Sequence, residues 1–106
     1  MTQYQVKISD RASQKLKDIH NYIANELQMP PYAQAQVDRL EEAIMKLDIL
    51  PERCKVLESE PWHGRNVRKL LADNYSIFYF IKGREVIVID ILYSRSDIES
   101  HLVKGY

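Results

Sequence analysis

The residues best suited to chemistry are cationic or proton-carrying and fall late in the chain. They are Arg68, Lys69, Tyr93, Arg95 and His101. A ribose 2′-hydroxyl attacking its own phosphate needs a proton acceptor, a donor to the leaving oxygen, and cationic stabilisation of the phosphorane. His and Tyr move protons, and Lys and Arg stabilise the charge that develops on phosphate. On an ideal pleat Arg68 shares a face with Asn66 and Leu70, while Lys69 shares the other with Val67 and Leu71. The two basic residues therefore enter one site only if their strand is bulged or twisted. Tyr93 and Arg95 close the final strand, and His101 comes about one helical turn later. Where those edges meet, a site would hold Lys69, Tyr93, Arg95 and His101, with Arg68 a weaker member. The competing reading is a set of solvated strand charges paired with Asp90, Asp97 or Glu99, since surface ion pairs commonly have no catalytic role.

Other chemistries lack their residues. His20, His63 and His101 are far apart, and no Cys-x-x-Cys or His-x-x-x-His spacing offers a metal site. There is no glycine-rich phosphate loop and no nucleophile elbow. Cys54 is the single cysteine, which excludes an internal disulfide. A lone cysteine of this kind is more often a small packed hydrophobe than a nucleophile. No cofactor and no metal are expected.

The elements that would position the candidates can be read from periodicity. Tyr4, Val6 and Ile8 alternate with polar neighbours, which predicts a half-buried strand. Ser9 and Asp10 offer cap oxygens for a helix whose Ala12, Leu16, Ile19, Ile23 and Leu27 form one apolar stripe. Met29-Pro30-Pro31 should stop it. Pro31 suits the first turn of a second helix. There Ala33, Val37, Leu40, Ile44 and Leu47 recur at heptad-like spacing until Leu50-Pro51. Two such helices joined by a few residues pack antiparallel.

Cys54 to Arg65 has no period and reads as a loop or irregular edge. Strands are then expected over 66–71, 75–81 and 85–93, separated by turns at Asp73-Asn74 and Lys82-Gly83. The run Val86-Ile87-Val88-Ile89 lacks alternation and should be buried on both faces, hence central. Ser96-Asp97-Ile98-Glu99 fits a capping box, which predicts a short terminal helix docking through Ile98 and Leu102. The expected fold is α+β: an N-terminal strand, an antiparallel helical hairpin, three antiparallel strands and a short C-terminal helix.

The 106 residues should form one domain, residues 1–106. Fifteen basic residues balance fifteen acidic ones, which argues against broad coating of nucleic acid but leaves room for a local basic patch. No run approaches the roughly 18 apolar residues of a membrane helix, and the N-terminus lacks the apolar stretch of a signal peptide. A cytoplasmic location without membrane contact is expected.

Three ordered stretches carry a resemblance to a known family. Tyr4-Gln-Val-Lys-Ile-Ser-Asp-Arg-Ala leads into Leu16-Lys-Asp-Ile-His-Asn-Tyr-Ile. The middle has Arg68-Lys-Leu-Leu-Ala-Asp-Asn-Tyr-Ser-Ile-Phe-Tyr, and the end has Ile91-Leu-Tyr-Ser-Arg-Ser-Asp. Together they resemble the RelE/ParE toxin superfamily of bacterial type II toxin–antitoxin systems, over nearly the whole chain. The resemblance implies a helical hairpin on an antiparallel sheet, growth inhibition, and a cognate protein antitoxin in a hetero-oligomer. It also implies one of two targets: the ribosome with its messenger RNA, cut by RelE-like members, or DNA gyrase, poisoned by ParE-like members.

On the RelE pattern Lys69 and Arg95 match basic positions, and His101 lies where the C-terminal proton-transfer residue stands. The chain departs from that pattern at Ser76, where the family has an arginine, and at Val67, where a lysine is frequent. The long hairpin and the neutral charge balance lean towards ParE-like gyrase poisoning, with RelE-like messenger RNA cleavage as the alternative. A reading of another class is a non-toxic protein-binding module, which would need an exposed apolar groove or sheet edge. Tyr32, Trp62, Tyr75 and Phe80 are the aromatic residues such a surface could draw on.

Overall fold

A computed structural model describes residues 3–94. Ser9 has extended backbone angles, and its hydroxyl oxygen accepts from the Ala12 N–H at 3.1 Å. This satisfies one of the donors that the first turn of a helix leaves unpaired. The strand β1 (Gln5–Ile8) therefore passes directly into helix α1 (Asp10–Asn21). Ala12 and Leu16 of the predicted stripe are buried.

The helix then loosens. Tyr22–Glu26 form a π-type turn in which the Leu27 N–H reaches back to the Tyr22 carbonyl at 3.1 Å. The widened turn rotates the residues after it away from the line of the stripe. Ile23 stays buried, but Leu27, expected in the stripe, is exposed. Helix α2 (Pro30–Met45) has Pro31, as expected, in its first turn together with Pro30, where a missing N–H costs nothing. Ala33, Leu40, Ile44 and Leu47 are fully buried, as the seam predicts, and short 3₁₀ turns come next at Lys46–Asp48 and Pro51–Arg53.

Strands β2 (Arg68–Ala72), β3 (Tyr75–Lys82) and β4 (Glu85–Tyr93) complete a four-stranded sheet in the order β1-β4-β3-β2. The two hairpins are antiparallel, whereas β1 runs parallel to β4 because the helical hairpin carries the chain across. The strand β4 is flanked by both β1 and β3, as its apolar run predicted. β2 begins later than the expected Asn66 because that residue adopts φ 56°, outside the extended region. The second turn comprises Gly83 and Arg84 rather than Lys82-Gly83; Gly83 supplies its φ of 62° without a Cβ to clash.

Each side of the sheet has its own core. On the helix side Leu40, Ile44 and Leu47 pack with Ile77, Tyr79, Val86, Val88 and Ile91. On the other side the loop after the 3₁₀ turns folds over the sheet and buries Leu57 and Trp62 with Val67 and Phe78. Trp62, one of the aromatic residues considered for a contact surface, is therefore core. The predicted terminal helix, with Arg95, Ile98, His101 and Leu102, lies outside the described residues.

Candidate functional site

Register separates the predicted site residues. Lys69 pairs with Phe78, whereas Tyr93 pairs with Tyr75. Positions 75 and 78 differ by an odd number along β3, so Lys69 and Tyr93 project from opposite faces. Arg68 pairs with Tyr79 and shares the helix-side face with Tyr93. The two are four residues apart along β3, about 13 Å. The strand β2 pairs without interruption from Arg68 to Ala72, so no bulge brings Arg68 and Lys69 to one face. Arg95 and His101 lie outside the described residues.

Arg68 has a structural task. Its guanidinium donates to the Glu52 carbonyl at 3.0 Å and to the Cys54 carbonyl. Beside it the Tyr79 hydroxyl donates to the Pro51 carbonyl at 2.6 Å. Burial, then contact with Cys54, pushes that phenol's pKa well above its usual range, so it remains a donor. Arg68 and Tyr79 together hold the 50–54 segment against the sheet. Cys54 is half-buried within that clamp. The two departures from the RelE pattern are interior positions: Val67 lies in the second core, and Ser76 is buried with its hydroxyl 3.2 Å from that of Ser94.

A bulge on β4 creates a second polar feature. Tyr79 pairs with Val88 and Phe78 with Asp90, so the register shifts by one residue at Ile89. Asp90 is fully buried. Its carboxylate accepts from Arg11 Nε at 3.1 Å, lies 3.2 Å from Lys15 Nζ, and caps the Ile91 N–H at 2.8 Å. The cations held by Asp90 thus come from α1, and not from the β-strand residues considered above. Among the described residues, no three His, Cys, Asp or Glu side chains gather as a metal site. No helix there is long and apolar enough to cross a membrane.

A concavity of about 600 Å³ opens between the tip of the helical hairpin and the Tyr93 end of the sheet. Tyr22, Leu27, Tyr32 and Tyr93 line it, with exposures of 56%, 48%, 49% and 40%. Four large, half-exposed apolar side chains in one groove form the kind of contiguous patch that marks an interaction site. Tyr75 sits at its base with its ring edge-on to Tyr93, centroids 5.6 Å apart. Burial chiefly, then the neighbouring Tyr93, Tyr32 and Tyr22, raises the Tyr75 pKa, so this hydroxyl stays neutral.

The turn between β2 and β3 is tied to α2 beside the groove, which Gln36 and Asn74 also line. Asp73, at φ 53°, accepts from both Gln36 and Arg39 of α2 at 2.9 Å. Those bonds, Arg39's first, lower the Asp73 pKa. Arg39 also stacks 5.7 Å over the Tyr32 ring. Tyr32 and Tyr75 were visible in sequence as aromatic contact candidates. Tyr22 carried a weaker signal, as a large aromatic residue off the apolar stripe. Leu27 carried none, since only the π-type turn exposes it.

Residues 6–98 match the family model for the ParE toxin of the type II toxin–antitoxin system parDE. Among solved structures, the chain is similar to one from the chromosomal ParDE toxin–antitoxin system of P. aeruginosa. That match has a TM-score of 0.73 and 22% identity over 88% of this chain and 98% of that one. It is also similar to a chain of the RelBE2 toxin–antitoxin complex of Mycobacterium tuberculosis. Here the TM-score is 0.61, with 23% identity over 92% of this chain and 97% of that one. At those identities the likenesses establish the fold. No curated protein matches the chain in sequence.

Proposed function

The chain belongs to the ParE toxin family, and from that premise we propose that it is a growth-inhibiting toxin that poisons DNA gyrase and is neutralised by a cognate protein antitoxin. The supporting observation is the separation of Lys69 from Tyr93 on opposite faces of the sheet. Phosphodiester cleavage needs an acid, a base and a charge stabiliser converging within hydrogen-bond reach of one phosphate. Arg68 is committed to the Glu52 and Cys54 carbonyls, and positions 67 and 76 are interior. Poisoning a protein target needs a contact surface and no such convergence.

The tyrosine groove supports the antitoxin half of the reading. Tyrosine gives large contact area at low entropic cost and dominates binding hot spots. The ParDE and RelBE2 neighbours are themselves parts of toxin–antitoxin assemblies. The toxin acts in the cytoplasm, where gyrase is found, and needs no cofactor.

Inducible expression in a bacterial host, with transcript integrity and gyrase supercoiling monitored in the same cultures, tests this. Gyrase inhibition with accumulating DNA breaks and intact transcripts is expected. Rapid ribosome-dependent transcript cleavage with working gyrase would overturn the gyrase assignment in favour of a RelE-like ribonuclease, with Lys69, Arg95 and His101 as its candidate site. Normal growth with neither effect would reduce the chain to a protein-binding module.

A further inference from the structure

The loop that builds the second core covers only part of its side of the sheet. It buries Val67 and Phe78 with Leu57 and Trp62. Farther across, Phe80 on β3 and Ile87 and Ile89 on β4 stay partly in water. Phe80 pairs directly with Ile87, so the two share a face. A cleft of about 410 Å³ opens between Trp62 and Arg65 of the loop and Phe80 and Ile89 of the strands. We infer that this cleft docks an acidic, apolar segment of a partner protein, with an apolar side chain on Phe80 and Ile89 and carboxylates on Arg65 and Lys82.

The rim is positive. Lys82 lies two residues beyond Phe80 on the same face, about 7 Å along the strand. Arg65 is exposed, lines the cleft itself and stands 5.8 Å over the Trp62 ring. Neither cation forms an ion pair among the described residues, whereas Glu85, which faces Lys82 across the hairpin, is held by Lys7. Apolar surface rimmed by charge marks an interaction site. Here the charge asks for carboxylates: arginine takes one through two parallel N–H donors, and lysine adds a point charge.

Spacing favours a chain segment as the occupant. An extended peptide presents every second side chain on one face, about 7 Å apart. An acid-x-apolar-x-acid sequence therefore places two carboxylates around one apolar group. Nucleic acid fits less well, because two cations release few counterions and the chain as a whole carries no net charge. The cleft lies on the other side of the sheet from the tyrosine groove, so both can be occupied at once. The docking does not rest on the toxin function.

Trp62 is the chain's single tryptophan, so its indole N–H gives one reporter signal in a heteronuclear NMR spectrum of the full-length protein. The probe is the capped peptide acetyl-Glu-Ser-Phe-Ser-Glu-amide, titrated at low ionic strength beside a neutral counterpart with Gln for both Glu. The acidic peptide should shift the indole signal saturably, and the neutral one should bind at least about tenfold more weakly, as expected on losing charge-assisted contacts. Arg65→Gln should weaken the acidic peptide by about tenfold and Lys82→Gln by about threefold. Lys17→Gln, the same change of charge at an exposed position on α1, should leave it unchanged. Equal binding of the two peptides, no saturable shift, or an equal effect of Lys17→Gln and Arg65→Gln would overturn the inference. So would a tighter response to an oligouridylate, which makes the face a nucleic-acid interface, or a signal that moves on dilution of the free protein, which assigns it to a second copy. No readout uses gyrase or an antitoxin, so the docking and the proposed function stand or fall separately.

Discussion

The two ends of β4 have different fates. From Glu85 to Val88 the strand has a partner on each side, β1 and β3, and its helix-side residues Val86 and Val88 are fully buried. β1 stops at Ile8, opposite Val88, and beyond that point α1 crosses the sheet with Arg11 and Lys15 on Asp90. By Tyr93 the same face is 40% exposed and opens into the groove. One strand thus runs from sealed core to binding surface within nine residues. The hand-over occurs where a neighbouring strand ends and a bulge intervenes. The middle is closed by Ile91 in the helix-side core together with the charge cluster on Asp90 that ties α1 to the sheet.

The sharpest way to break this contrast is to truncate two residues on the same face. Ile91 is 1% exposed within the helix-side core. Ile91→Ala should destabilise the fold by about 2–5 kcal/mol, the range for a buried large-to-small change, read from denaturant melts. Tyr93→Ala, two residues on, should change stability by less than about 1 kcal/mol because the ring is half in water. A Tyr93→Ala loss as large as that of Ile91→Ala would show that the groove is core and not surface.

Asp90 tests the hand-over itself. Asp90→Asn keeps an oxygen for the Ile91 N–H but removes the charge that holds Arg11 and Lys15. Both cations are about a third exposed, so water recovers part of the loss. A destabilisation of about 1–3 kcal/mol is expected, as for hydrogen bonds to charged groups. A double-mutant cycle with Lys15→Met measures the pair directly. Additive effects in that cycle would mean that the cluster does not tie α1 to the sheet.

Much of this contrast was legible in sequence, and for identifiable reasons. Ser9, the α2 seam and the doubly apolar run Val86-Ile87-Val88-Ile89 are local patterns, and local patterns fix helix starts, buried faces and a central strand. The π-type turn at Tyr22–Glu26 and the bulge at Ile89 break those periods. No alternation or stripe announces them, yet they decide that Leu27 faces solvent and Asp90 faces α1. The Arg11–Asp90 bond joins residues 79 apart in sequence, and the groove joins a hairpin tip to a distant strand end. The opposite facing of Arg68 and Lys69 was readable from the pleat alone. That Arg68 spends its guanidinium on the carbonyls of Glu52 and Cys54 was not.

At the open end, Tyr93 should matter for binding where it does not matter for folding. If the groove receives the antitoxin, as proposed, Tyr93→Ala should weaken the toxin–antitoxin complex by about 2 kcal/mol, or roughly thirty-fold in Kd, as for a buried aromatic anchor. Calorimetric titration of the folded variant with purified antitoxin reads this. An unchanged Kd would move the antitoxin to another surface.

The smallest effect concerns the turn that ties β2 and β3 to α2 beside the groove. Asp73 is held below its ordinary pKa by Arg39 and then Gln36. A depressed folded-state pKa contributes stability that is fully present above the unfolded value, about 3.9, and is lost as pH falls through the folded value. Asp73→Asn keeps a residue that tolerates the left-handed backbone at φ 53° and removes only the charge. Since both side chains are about 40% exposed, the loss at pH 7 should stay below about 1 kcal/mol. The gap in Tm between the variant and the parent should narrow as pH falls below about 4, the unfolded value. A gap that stays constant down to about pH 2.5, well below that value, would show that the carboxylate's charge contributes nothing there, and that the turn is held by its backbone and by Gln36 alone.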